Sequence, residues 1–275
     1  MHKITEEINP FSLDIDRWNT AQIVKFIHLS DIEAFEAVGR SLEVITEAAE
    51  LIAGRLKGGG RAIYVGAGTS GRIAVQDVVE LLPTYGLGKD YFDYVMAGGE
   101  KALTESVEGS EDNSDDAVKS LKAKNLSNND VVVGISASGS TPFVVSAVQY
   151  GRSIGAAAVG ITGNLQTPLR NHVDICIELV TGPEVIQGST RMKAGTAQKM
   201  TLNIISTSVA IKLGRTYRNT MAHMGSWYNE KLKSRALSIL KDQFGLETSQ
   251  ATDLLARNNY DISKAIDEYR KQKSR

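Results

Sequence analysis

The chain has one cysteine, Cys176, in 275 residues. That excludes an intramolecular disulfide framework and a cysteine-based zinc cluster. Four histidines, His2, His28, His172 and His223, are scattered, with no HxxxH or HExxH pair to grip a metal. Net charge is nearly absent: 31 Lys and Arg face 32 Asp and Glu. A duplex-DNA binder working through a broad basic face is therefore not expected. No apolar run reaches the length of a membrane span, and the opening MHKITEEINPF is too acidic for a signal peptide. These absences predict a soluble cytoplasmic protein. Hydrophobic residues at 42% and charged residues at 23% are ordinary globular values, so a sizeable core is affordable and global disorder is not.

The first 60 residues read as helical. Thr20 is a candidate N-cap for a short helix to Leu29. From Asp31 a longer helix places Ile32, Phe35, Val38, Leu42, Ile45, Ile52 and Leu56 on one stripe, until Gly58-Gly59-Gly60 stops it. That stripe fits packing on a sheet or at a subunit interface.

Strands and helices then alternate. Ala62–Val65, Tyr94–Ala97, Val131–Ile135, Ala157–Thr162 and Ile175–Val180 read as strands. Helices are expected over Arg72–Leu82 (closed by Pro83), up to about Ala123, up to about Ile154, and over about Lys193–Leu213. The pattern predicts an α/β fold, doubly wound, with a mostly parallel sheet flanked by helices. Apolar knots at Ala236–Leu240, Ala251–Leu255 and Ile262–Ile266 predict a small C-terminal three-helix unit, with Asn258–Asp261 leading into its last helix in the manner of a ubiquitin-associated-type bundle. The expected organisation is 1–60 as an N-terminal helical segment, 61–225 as the α/β domain and 226–275 as the helical bundle.

In such a fold ligands bind beyond the carboxyl ends of the strands. Two junctions there carry glycine and hydroxyl side chains: Gly66-Ala-Gly-Thr-Ser-Gly-Arg72 and Ser136-Ala-Ser-Gly-Ser-Thr-Pro142. Glycines admit an anion close to the backbone, hydroxyls add hydrogen bonds, and a helix N-terminus presents unpaired N–H groups. Gly66, Gly68 and Gly71 fit a dinucleotide spacing. The second strand, however, ends in Ala97-Gly98-Gly99 rather than in a ribose-binding acid, and there is no GxxxxGK[ST] loop. Two Ser/Thr-rich turns fit a phosphosugar better than a nucleotide.

With Leu13-Asp14-Ile15-Asp16-Arg17, Tyr64–Arg72, Val107–Asp112 and Gly188-Ser-Thr-Arg-Met-Lys-Ala-Gly-Thr-Ala-Gln-Lys199, the chain resembles the sugar isomerase (SIS) superfamily. Within it, the chain resembles the N-acetylmuramic acid 6-phosphate etherase family, relatives of the glucokinase regulatory protein. The resemblance implies removal of D-lactate from a phosphorylated amino sugar, without metal or cofactor. It implies Glu80 and Glu111 as the catalytic acid–base pair. A phosphosugar site would be made by Gly68, Thr69, Ser70, Ser136, Ser138, Gly139, Ser140 and Thr141. Ser189, Arg191 and Lys193 form a third element, with Arg191 a candidate for the phosphate or the lactyl carboxylate. Glu80, among Val78, Val79, Leu81 and Leu82, is expected to have a raised pKa. A homodimer with sites near the interface is expected, with no nucleic acid or membrane partner. A non-catalytic phosphosugar regulator and a phosphosugar isomerase are the alternatives. This chain departs from the family pattern at Ser140, where an arginine is usual, around Glu80, and at Ala222–Trp227.

Overall fold

The computed structural model describes residues 3–221, 230–259 and 261–273. His2, His223, Tyr260 and the Ala222–Trp227 departure lie outside the described residues. The chain divides into two compact units: one holds the residues up to Val78 together with Lys89–Val209, the other Val79–Gly88 and the chain from Ala210 onward.

The first helix, α1 (Thr20–Arg40), starts at a capping box. Asn19 accepts from the Gln22 N–H at 2.9 Å, and the Gln22 side chain accepts from the Asn19 N–H at 3.0 Å. The cap is thus Asn19 rather than Thr20. Nor does the helix break near residue 30: it runs on to Arg40, and the Ser30 hydroxyl donates back to Phe26 O within it. The break falls at Ser41, and α2 (Leu42–Lys57) follows. A stripe read across this joint changes face. Val38, Ile45, Ile52 and Leu56 are buried, whereas Ile32, Phe35 and Leu42 are exposed.

Five strands form one sheet: β1 (Ala62–Gly66), β2 (Phe92–Met96), β3 (Val131–Ser136), β4 (Ala157–Thr162) and β5 (Ile175–Glu178). Their order is β2-β1-β3-β4-β5, and every pair is parallel. Parallel neighbours need crossovers, here α3 (Gly68–Tyr85), the short α4 (Lys101–Thr104) with α5 (Ser114–Ala123), and α6 (Pro142–Ser153). β1 and β3 are buried along their whole length, as a sheet covered on both faces requires. On one face Ile63, Val65 and Val132 meet Ala117 and Leu121 of α5 and Phe143, Val144, Ala147 and Val148 of α6.

Helix α3 is longer than its sequence suggests. It begins inside the glycine turn at Gly68, and Pro83 sits in its last turn rather than beyond it. The final core helix is α7 (Lys193–Lys212). In the second unit, the two-residue strands β6 (Thr216–Tyr217) and β7 (Thr220–Met221) pair antiparallel. Helices α8 (Glu230–Phe244), α9 (Thr248–Arg257) and α10 (Ile262–Lys273) bury Ala236, Leu240, Ala251, Leu254, Leu255, Ile262 and Ile266 together. Asn258 ties α9 to α10 by donating to Leu254 O and to the Glu268 carboxylate.

Candidate active site

The strand order reverses between β1 and β3, and there the two glycine–hydroxyl turns emerge side by side. Gly66 is the register partner of Ile135, so the β1–α3 turn and Ser136 leave the sheet together. This is the switch point where open α/β sheets bind ligands.

The β1–α3 turn is compact because its glycines touch. A Cβ on Gly66 would lie 2.7 Å from Gly71 N, and one on Gly71 would lie 2.2 Å from Met96 Sδ. Gly68 opens α3 at φ +53. Ser70 is buried, and its hydroxyl donates to Gln198 Oε1 of α7 at 2.8 Å. The N-terminus of α7 therefore lies against this turn; a Cβ at Gly195 would meet Thr69 Cγ2 at 3.5 Å.

The β3–α6 turn is a knot of hydroxyls. Ser136 Oγ shares hydrogen bonds with Thr141 Oγ1 at 2.8 Å and Ser138 Oγ at 3.3 Å, and accepts from the Gly139 N–H at 3.0 Å. Ser138 Oγ accepts from both the N–H and the hydroxyl of Ser140 at 3.2 Å. Thr141 occupies the N-cap position of α6 without a side-chain capping bond, its hydroxyl being turned to Ser136 instead. Pro142 follows in the first turn, where a missing N–H costs nothing. Gly139 has φ +66, and a Cβ there would lie 2.4 Å from Thr167 Cγ2, so no other residue fits. Hydroxyls that both donate and accept can rotate their protons toward an arriving anion.

The third element is less open. Lys193 is 1% exposed, and its ammonium is ion-paired with Glu33 of α1. The Lys193 and Ala194 N–H groups both donate to the Glu184 carboxylate at 3.0 Å, which caps α7. Burial raises the Glu184 pKa against these hydrogen bonds. Lys193 thus pins α1 to the start of α7, with its charge already neutralised. Ser189 is half-buried and Arg191 is exposed.

Beside the first turn lies a cavity of about 270 Å³. Gly68, Arg72, Met96, Ala97 and the segment Ser106–Glu111 line it. Glu111 sits in a 3-10 turn, Ser110–Asp112, entered through Gly109 at φ +72. Glu108 and Glu111 both line this cavity, so the acidic segment lies beside the glycine turn.

Glu80 stands differently. The expected apolar enclosure is absent. Val78 and Leu81 turn inward, whereas Val79, Glu80 and Leu82 are exposed, because a helix gives alternating faces to a run of neighbours. The buried carboxyl of α3 is Asp77, accepting from Asn203 at 2.6 Å and Ser206 at 3.1 Å. Burial raises its pKa, opposed by these two bonds and by Lys199. Its second oxygen and the Tyr64 hydroxyl are buried without a partner. Asp77, Gln198 and Arg72 were not singled out from sequence; only their place in family-like motifs hinted at them. His172 is engaged with Gln149 at 2.9 Å, away from the cavity lining.

Among the described residues no cluster of three His, Cys, Asp or Glu could hold a metal ion, and no helix is long and apolar enough to cross a membrane.

Comparison with known proteins locates this arrangement. Residues 43–152 match the glucokinase regulatory protein N-terminal SIS domain, and residues 109–208 match the SIS domain. N-acetylmuramic acid 6-phosphate etherase of Lactobacillus gasseri is 44% identical over 262 residues, 95% of this chain and 88% of that protein. The etherase of Geobacillus thermodenitrificans is 42% identical over 265 residues, 96% of this chain and 90% of that one. A phosphoheptose isomerase from Francisella tularensis superposes with a TM-score of 0.56 at 18% identity, covering 70% of this chain and all of its own, which speaks to the fold alone.

Proposed function

The chain belongs to the N-acetylmuramic acid 6-phosphate etherase family, and from that premise we propose that it cleaves the D-lactyl ether of N-acetylmuramic acid 6-phosphate. The products are N-acetylglucosamine 6-phosphate and D-lactate. The observation that carries this reading in the molecule is the joining of Gly68 and Glu111 in one cavity at the sheet's switch point.

The phosphate is assigned to the two turns. Thr69, Ser70, Ser136, Ser138, Ser140 and Thr141 supply hydroxyls, and Gly68 and Gly139 allow close backbone approach. The N-termini of α3 and α6 add their dipoles. In the open-chain sugar the C2 proton is acidic, being next to the C1 carbonyl. A glutamate takes that proton, a C2–C3 double bond forms, and the C3–O bond breaks. The second carboxyl protonates the departing lactate oxygen. Water then adds, its hydroxyl to C3 and its proton to C2. The reaction is a carbon–oxygen lyase step followed by hydration, and it consumes no redox cofactor.

Glu111 and Glu80 are the assigned pair. Ten residues separate Glu80 from Ser70 along α3, roughly 15 Å of helix. That is longer than the span from phosphate to C2 in one sugar. Glu80 therefore serves a neighbouring subunit's site in a homodimer paired through α3, a reading supported by the exposed Val79 and Leu82 beside it. A cytoplasmic location accords with this substrate.

Incubation with N-acetylmuramic acid 6-phosphate and enzymatic detection of D-lactate tests the proposal. Binding without lactate release would favour the non-catalytic regulator. Ketose formation from an aldose phosphate would favour the isomerase.

A further inference from the structure

We infer that Arg72 selects the substrate by binding its lactyl carboxylate. This deepens the functional reading above and rests on it. Arg72 stands four residues after Gly68 in α3, one turn along, so both present the same face and both line the cavity. Its Nη2 donates to Glu105 O at 2.7 Å, which anchors the guanidinium to the segment leading into Glu108 and Glu111. Among the described residues it makes no other hydrogen bond and no ion pair. Most of its five-donor fork is thus uncommitted.

The cavity holds one guanidinium that no carboxylate among the described residues neutralises, and it is open to an anionic group on the guest. Arg72 is the single cation among the lining residues, and Glu108 and Glu111 are the acids. The substrate carries two anions. Its phosphate has the hydroxyl turns and two helix N-termini. Its lactyl carboxylate hangs from the oxygen on C3, one carbon from the C2 proton that a glutamate must remove. That carboxylate is therefore brought beside a carboxylate base, and like charges at this range repel. A guanidinium in the same cavity cancels the repulsion and holds the guest by two parallel N–H···O bonds. Arg191, the other candidate guanidinium, is exposed and does not line the cavity. A sugar phosphate lacking the lactyl group would fill the phosphate turns and leave Arg72 without its partner.

The test separates carboxylate from phosphate. N-acetylmuramic acid 6-phosphate, its lactyl methylamide and N-acetylglucosamine 6-phosphate are titrated calorimetrically into the wild type and Arg72→Gln. The first ligand is also assayed for turnover. Arg72→Gln should bind N-acetylmuramic acid 6-phosphate about 10- to 100-fold more weakly, and bind N-acetylglucosamine 6-phosphate within about twofold of wild type. The wild type should discriminate against the methylamide by a similar factor, and Arg72→Gln should not. Equal weakening for both sugars would make Arg72 a phosphate ligand and overturn the inference. So would wild-type protein that binds the methylamide as well as the acid. If Arg72→Gln does not fold, the wild-type comparison still decides, and Arg72→Lys, which keeps charge but loses the fork, should fall between. Tight, carboxylate-dependent binding without lactate release would sink the etherase reading while leaving Arg72 as the carboxylate ligand.

Discussion

Ser70 gives its hydroxyl proton to Gln198 Oε1 at 2.8 Å, and the amide nitrogen of the same Gln198 is buried without a partner. A phosphate at the turn competes for that proton. Turning the Gln198 amide over would let Nε2 donate to Ser70 Oγ and free the Ser70 proton for the phosphate. Ser70→Ala should weaken a hexose 6-phosphate by about 1.5–3 kcal/mol. Gln198→Glu, whose carboxylate can only accept from Ser70, should weaken it more than Gln198→Leu does. Titration of the three variants checks this; unchanged affinity in Ser70→Ala would remove the turn from the phosphate site.

Glu80→Gln and Glu111→Gln should keep the thermal midpoint of the wild type and cut turnover by a factor on the order of 10²–10⁴. In deuterated water the product should carry deuterium at C2. Product without that label would exclude the elimination route, and a fully active Glu80→Gln would return that residue to the helix surface.

Sharing of sites between subunits is open to complementation. Inactive Glu80→Gln and inactive Glu111→Gln, mixed after brief unfolding and refolded together, should regain activity, because some mixed dimers hold one intact site. Failure to recover, with a monomeric mass by light scattering, would exclude the shared arrangement.

Asp77 makes a prediction about pH. Its folded pKa is raised above the unfolded value, chiefly by burial, so the folded state holds the proton more tightly. Its contribution to stability is full below the unfolded carboxylate pKa and is lost as pH rises through the folded one. Asp77→Asn should therefore flatten the decline in stability on raising pH. Denaturant midpoints taken across the carboxylate range and up to neutrality would show it; parallel profiles would mean that Asp77 does not titrate there.

Local signals in the chain are legible where the residues themselves fix the backbone. The buried runs at Ala62–Val65, Val131–Ile135 and Ala157–Thr162 become central strands, and the two hydroxyl turns follow them. The β2 strand begins two residues before its expected start at Tyr94, and α3 begins four before Arg72. Glycines disfavour helix in isolation, and here contact with α7 overrides that preference. The site is less legible because its parts meet only in three dimensions. Glu33 finds Lys193 across a separation of 160 residues. Glu111 reaches Gly68 only through the loop after α4. The face on which Glu80 falls depends on helical phase, which a run of apolar neighbours conceals.

The all-parallel order of the strands has a consequence for how the protein is made. β1 lies between β2 and β3, and its turn gains the neighbouring hydroxyl turn only after residue 141 has been synthesised. Gln198, which holds Ser70, comes later still. On the ribosome β1 and β2 by themselves offer at most a two-stranded parallel pair. Such a pair is too small to stand alone, and its long-range partners arrive late. Truncated chains ending before α7 should be clients for chaperones rather than miniature phosphosugar binders.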